Sequence, residues 1–207
     1  MLGWYEDHIF PKVLDWATRP LNRDRQHLIS QAQGRVLEIG VGNGANFPFY
    51  AKSAVEIHGI EPGEALLAEA RKFASTAPHP ERFHLINAGA EKLPWPDHHF
   101  DTVIACLVFC TIPDYQAAAA EVFRVLKPGG ALLVLEHVAH KKPGWRRTQR
   151  IIEPLWTPLA CGCHLSRDSK TVFSDAGFDV SGLNQWQHPK LPTFAGYMLS
   201  GRALRPV

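Results

Sequence analysis

The sequence predicts an α/β fold, a three-layer sandwich around one mostly parallel sheet. Apolar, β-rich runs alternate with helical patterns between residues 35 and 138, which implies βαβ units joined by right-handed crossovers. Three of those runs, RVLEIG, DTVIACLVF and GALLVLEHV, are apolar nearly throughout, as strands covered on both faces are. The first run also ends in a tight cluster, Gly40, Gly42 and Gly44, where the backbone must bend sharply or let something approach closely.

Each element follows in order. Leu2, Tyr5, Ile9, Val13 and Trp16 recur at three- and four-residue spacing, so residues 1–34 are read as a helical segment with one apolar stripe. It is broken or restarted at Pro11 and is able to act as a lid. The first strand, RVLEIG, leads to a helix around residues 44–51. EIHGIE is the second strand, followed by a helix from Glu64 to Ser75. RFHLINA and DTVIACLVF are the third and fourth strands. DYQAAAAEVFRVL is helical, and LKPGG breaks it into the fifth strand, GALLVLEHV.

After Val138 a basic, Trp-containing segment runs from Lys141 to Ala160, followed by a helix near residues 166–176. FDVSGLNQW and TFAGYMLSGRA, joined by a Pro-containing link, read as an antiparallel pair closing the sheet edge. Residues 35–207 then form one domain, to which the opening segment belongs.

Composition excludes several classes. The 207 residues are 45% hydrophobic and 20% charged, with a net charge of +2, which gives no electrostatic steer toward nucleic acid. Apolar runs such as ALLVL are too short to span a bilayer. MLGWYEDHIF lacks the basic region and apolar stretch of a secretory signal, so the cytoplasm is the expected compartment. Cys106, Cys110, Cys161 and Cys163 are expected as reduced thiols. Neither CLVFC nor CGCH completes the paired spacing of a zinc site, so no metal is expected.

The first strand ends at Ile39, placing the glycine loop beyond the carboxyl end of the sheet, where open α/β sheets bind ligands. The second strand ends in GIEPG, and Glu61 there can accept hydrogen bonds from both hydroxyls of a ribose. Loop and acid together indicate an adenosine-containing ligand. Gly40, Gly42 and Ala45 also fit the dinucleotide pattern loosely. Four features favour S-adenosylmethionine over NAD(P): Glu38 inside the strand end, the short spacing to the third glycine, the lack of a second nucleotide-binding half, and the Pro-Gly-Gly break.

The stretches VLEIGVGNGANF, GIEP, GAEKLPWPDHHFDTVIA and EVFRVLKPGGALLVLEH resemble the successive motifs of class I S-adenosylmethionine-dependent methyltransferases of the type 11 kind. LVFCTIPD, EHVAH and GCHLSRDSKTVFSDAGF resemble a narrower group. It contains small bacterial methyltransferases and the membrane-associated animal methyltransferase-like proteins that methylate alkyl thiols. The resemblance implies a Rossmann-like, seven-stranded sheet with its last strand antiparallel.

It also implies that Glu38 orients the loop and reaches the cofactor's amino group. Gly40, Gly42 and Gly44 would pack against the cofactor, and Glu61 would hold the ribose with Pro62 beside the adenine. Ala90 and Glu91 would border the adenine, and Cys106 and Leu107 would lie beneath the sulfonium. Gly89 departs from the Asp or Ser that many relatives carry before the Ala-Glu pair.

The expected activity is methyl transfer from S-adenosylmethionine to a small molecule, with S-adenosylhomocysteine as product. A thiol is the favoured acceptor, as the resemblance to alkyl thiol methyltransferases implies, and being partly ionised near neutrality it would need little help from a base. A lipid amine or quinone ring is the alternative, for which Trp145, Trp156 and Trp186 could build a wide apolar pocket. A non-catalytic protein that binds the cofactor for a partner is the reading from another class. His137, just after the fifth strand, and His164, in CGCHLSRD, are the candidate catalytic residues, with Tyr5 and Cys110 at the acceptor pocket. His140 is a third candidate base. Lys141, Lys142, Arg146 and Arg147 around Trp145 suit peripheral contact with anionic lipid headgroups.

Overall fold

Strand β1 (Gly34–Ile39) lies near the middle of the sheet because Val36, Leu37 and Ile39 are apolar on both faces and fully buried. The computed structural model describes Val13 and residues 16–207. Tyr5 and the stripe through Leu2 and Ile9 lie outside the described residues.

Parallel to β1 on one side run β2 (Ala54–Ile60) and β3 (Phe83–Ile86), and on the other β4 (Phe100–Cys106) and β5 (Leu126–His137). The edge is closed by β6 (Leu183–Gln187) and β7 (Tyr197–Leu204), with β7 antiparallel to both its neighbours. The order β3-β2-β1-β4-β5-β7-β6 is the expected seven-stranded sheet with an antiparallel last strand.

Helices cover both faces. On one, Ala118 and Val122 of α3 (Tyr115–Val125) and Phe173 of α5 (Ser169–Asp175) pack over Leu37, Val103 and Leu132. On the other, Leu28 and Ile29 of α1 (Asn22–Ile29) pack over Val36, Ile104 and Leu133. Helix α2 (Glu64–Ser75) lies beside the glycine loop through Ala70 and Ala74. Helices α3 and α5 start where the Asp114 and Asp168 carboxylates accept from the backbone N–H three residues on. Helix α4 (Pro143–Leu159) forms most of the basic segment. It is docked by the buried Gln149, which accepts from His140 N and donates to the Val138 and Phe194 carbonyls.

Two local expectations change. The helix expected around residues 44–51 is only a 3-10 turn at Phe47–Phe49. Pro48 lies within it, and the Asn46 and Tyr50 side chains on either side are drawn back onto Glu38. The fourth strand, expected to reach Phe109, stops at Cys106. Leu107 takes a φ of 59°, and the Val108 and Phe109 N–H groups turn inward to donate to Glu136 Oε1 at 2.7 and 2.9 Å.

The chain leaves β1 and β4 in opposite directions, so a crevice opens beyond their carboxyl ends, the place where such sheets bind ligands. Among the described residues no helix is long and apolar enough to cross a membrane.

Candidate active site

A cavity of about 1450 Å³ fills this crevice. Its floor is the glycine loop and the tips of β2 and β4. Its far wall is the end of β5 with α4 and the loop behind it, and Val13 and Trp16 stand at its border.

The loop is fixed from behind. Glu38 is fully buried, with Oε1 accepting from Asn46 Nδ2 at 2.7 Å and Oε2 from the Tyr50 hydroxyl at 2.6 Å. Burial pushes its carboxyl up to about 7, against the lowering effect of those two donors. Both oxygens are thus engaged behind the loop and do not reach the cavity wall. Gly44 is also buried against the Phe47 ring and α2, away from the cavity. Gly40 and Gly42 do line it. A Cβ on Gly42 would meet nothing within 4 Å, so bare backbone faces the open space.

Glu61 closes the loop from the side. Its Oε2 accepts from Gly42 N at 3.0 Å and its Oε1 from Gly63 N at 2.9 Å. Burial raises its pKa although both backbone donors oppose this. Pro62, Ala90, Glu91 and Leu107 complete that half of the cavity. At Gly89 a Cβ would lie 2.6 Å from Glu91 Oε2, so the Glu91 carboxylate occupies the space a side chain at residue 89 would fill. Cys106 instead lines a small neighbouring cavity with Arg25, Asn46 and Leu107, and burial pushes its thiol up to about 12.

The far wall brings together Cys110, His137 and Cys163. His137 Nε2 lies 2.9 Å from Cys163 Sγ, which also accepts from Trp156 Nε1 at 3.3 Å. Hydrogen bonding from Cys110 lowers the Cys163 pKa well below the thiol range. Burial opposes this, while the charge and proton of His137 and the Trp156 N–H add to it. Burial works against the His137 imidazolium, but the Cys163 charge, Glu136 and Glu153 together raise its pKa.

His164 is not on this wall. Its Nδ1 lies 3.0 Å from Glu153 Oε1, and Glu153 also accepts from Ser166 N at 2.8 Å, so His164 ties the loop to α4. His140 is stacked on Tyr197 at 4.3 Å between ring centroids. Of the three tryptophans, Trp156 lines the cavity, Trp145 is exposed and Trp186 donates to Ser200.

Sequence reasoning missed Glu136. It sits on the buried stretch 130–136 of β5, and its role as acceptor for Val108 and Phe109 depends on the turn after β4. Burial pushes it up to about 7, against the two backbone donors. A raised carboxylate keeps its proton in the folded state when the unfolded chain, at 4.5, has lost it. Its contribution to stability is therefore lost as pH rises from about 4.5 to about 7. At 1.36 kcal/mol per pKa unit, the wild type should lose on the order of 3 kcal/mol relative to Glu136→Gln across that window. Urea titrations of both proteins at pH 5 and 7.5 measure the difference. A difference that does not change with pH would refute it.

Residues 37–134 match the family described as a methyltransferase domain. The chain is 31% identical over 176 residues to thiol S-methyltransferase TMT1B of Rattus norvegicus, covering 82% of this chain and 70% of that protein. The chain belongs to the S-adenosylmethionine-dependent methyltransferases. It is also 34% identical to the human thiol S-methyltransferase TMT1A over 74% of this chain, though this spans only 64% of the human protein. A putative methyltransferase from Bacillus halodurans superimposes with a TM-score of 0.71 at 17% identity, over 90% of this chain and 99% of that one, which speaks for the fold.

S-adenosylmethionine is the cofactor of this methyltransferase, and the floor of the cavity fits it. The open Cα face of Gly42 admits a ligand against the backbone, and Glu61 offers a buried carboxylate beside it.

Proposed function

We propose that this methyltransferase methylates a small thiol carried in the apolar part of the cavity. The observation that carries the reading is the cluster of Cys110, His137 and Cys163, a sulfur-rich group that lines the same cavity as the glycine loop and Glu61. Kinship with thiol S-methyltransferases supports it.

The cofactor supplies an electrophilic methyl group on a sulfonium. The protein binds and orients. Glu61 takes the ribose hydroxyls, Gly40 and Gly42 give the loop's bare backbone, and Pro62 and Ala90 flank the adenine. Glu91, folded over Gly89, faces the adenine amino group, and Leu107 lies beneath the reacting centre with Cys106 behind it. Trp156 and Met198 hold the acceptor's apolar part and exclude water. The acceptor gives up its proton to solvent at the His137–Cys163 wall. Holding acceptor and methyl in attack geometry supplies roughly 7–11 kcal/mol of the barrier. The free cysteines suit a reducing compartment, and we place the enzyme in the cytoplasm.

The test is S-adenosylhomocysteine release by the purified protein with a small alkyl thiol against a no-acceptor control. Thiol-dependent release is expected. No release from protein that binds S-adenosylhomocysteine would overturn the reading. A lipid amine or quinone acceptor would then lead, a reading favoured by the size and apolar walls of the cavity.

Access from a membrane surface accompanies either acceptor. Ile151, Leu155 and Leu159 form a stripe at four-residue spacing along α4, 68%, 74% and 65% exposed. It continues Arg147 and the basic start at Lys141, Lys142 and Arg146 around exposed Trp145, an arrangement suited to peripheral contact with anionic lipid. The protein should float with vesicles containing phosphatidylserine but not with pure phosphatidylcholine. Ile151→Glu with Leu155→Glu should abolish that. Equal flotation with both vesicle types would refute the electrostatic part.

A further inference from the structure

Three separate segments converge on the far wall. Cys110 comes from the turn after β4, His137 from the end of β5, and Cys163 from the loop after α4. The two cysteine loops are latched together, since His164 N donates to the Cys110 carbonyl at 2.8 Å. Arg167 Nη1 holds the β4 turn by donating to the Phe109 and Ile112 carbonyls at 2.6 Å each. Such bracing fixes ligand atoms before any ligand arrives. Along the chain neither CLVFC nor CGCH is a metal motif. In space one cysteine from each joins a histidine.

We infer that Cys110, His137 and Cys163 form a site for a thiophilic divalent cation of the zinc type, with its fourth position open to the cavity for the acceptor's sulfur. This deepens the thiol reading above and rests on it. The three ligand atoms all lie within 4.8 Å of one another, and His137 Nε2 is 2.9 Å from Cys163 Sγ. A tetrahedron with Zn–S of about 2.3 Å and Zn–N of about 2.0–2.1 Å has edges of roughly 3.5–3.8 Å, which falls between those limits. A cation would take the place of the protons these groups now share. Two thiolates and an imidazole are a soft set that favours zinc over magnesium or calcium. Three protein ligands with one open position are the arrangement of catalytic zinc sites, whereas structural sites are closed by four. All three side chains line the cavity, so the open side faces the acceptor.

The chemistry follows directly. Uptake of the cation releases two protons to solvent, one from the Cys110 thiol and one from the His137–Cys163 pair. The acceptor thiol binds as thiolate, its proton also going to solvent. A sulfur lone pair then forms the new S–CH₃ bond while the methyl–sulfonium bond breaks, its electron pair remaining on the sulfur of S-adenosylhomocysteine. The neutral thioether product is a weak ligand and leaves.

The test uses the full chain, reduced with a phosphine and stripped with a chelator, then titrated with Co²⁺. A thiolate-to-cobalt charge-transfer band should saturate at one equivalent, be displaced by zinc, and shift in the visible when a small alkyl thiol is added. Cys110→Ser and Cys163→Ser should each weaken metal binding on the order of 100-fold or more. Unchanged melting with S-adenosylhomocysteine would show that both variants fold. No band in the wild type, a band surviving both substitutions, or visible absorption indifferent to thiol would overturn the inference. Equal thiol methylation by metal-free and zinc-loaded protein would also overturn it and leave the thiol reading standing. A thiol-sensitive band in a protein that methylates no thiol would retire the thiol reading and keep the metal site.

Discussion

Glu61→Ala is expected to weaken S-adenosylhomocysteine binding roughly 100- to 1000-fold while leaving the free protein folded. Glu61 is only 8% exposed, and its carboxylate is positioned by two backbone donors, Gly42 N and Gly63 N. Hydrogen bonds to a charged group contribute about 1.5–3 kcal/mol each, so losing two to a ribose at the lower end of that range costs roughly 3–4 kcal/mol of binding. The free protein loses two backbone contacts at the edge of an open cavity, and its melting point should move by only a few degrees.

Glu61→Gln keeps one acceptor oxygen without the charge and should fall between. Burial raises the Glu61 pKa, while ribose hydroxyls favour the ionised form, so affinity should decline as pH is lowered toward the carboxylate range. Calorimetric titration at pH 8 and pH 5.5 tests both points. Binding by Glu61→Ala within threefold of wild type would remove the ribose assignment.

Gly40→Ala and Gly42→Ala, two residues apart, should fail in different ways. Both glycines have positive φ, 64° and 55°, which costs an alanine roughly 1–2 kcal/mol. At Gly40 the added Cβ would also run into the Cγ2 methyl of Val108. Val108 cannot retreat freely, because its N–H is held by Glu136 at 2.7 Å. Overpacking of this kind adds about 1–3 kcal/mol, and for a chain of this size the sum lowers the melting temperature by roughly 5–15 °C.

At Gly42 the methyl meets nothing within 4 Å and points into the cavity. That variant should melt within a few degrees of wild type yet bind S-adenosylhomocysteine roughly 10- to 100-fold more weakly, as a misfit costing about 1.4–2.8 kcal/mol does. Melting curves with and without ligand separate the two effects. The opposite pattern, a stable Gly40→Ala and an unstable Gly42→Ala, would show that the loop is built differently.

The floor of the cavity was legible in the sequence because its parts are local. Gly40, Gly42 and Glu61 stand at the ends of adjacent strands, where α/β topology alone brings them together, and periodicity fixes strand ends well enough to find them. Glu38 and Gly44 belonged to the right motif, but burial decides that they act behind the loop rather than on the cavity wall. His164 illustrates the limit further on. A histidine beside two cysteines looks reactive in sequence, while its partner, Glu153, lies eleven residues upstream on α4.

By itself the sequence determined the class of fold, the antiparallel closing pair and the cofactor, since each follows from a two- or 3.6-residue period or from a motif at a strand end. Only the tertiary structure decided which side chains meet on the far wall of the cavity. Cys110, His137 and Cys163 meet because β4, β5 and the loop after α4 end at one edge of the sheet. That convergence depends on long-range packing, through Gln149, Arg167 and the turn held by Glu136, and no spacing along the chain encodes it.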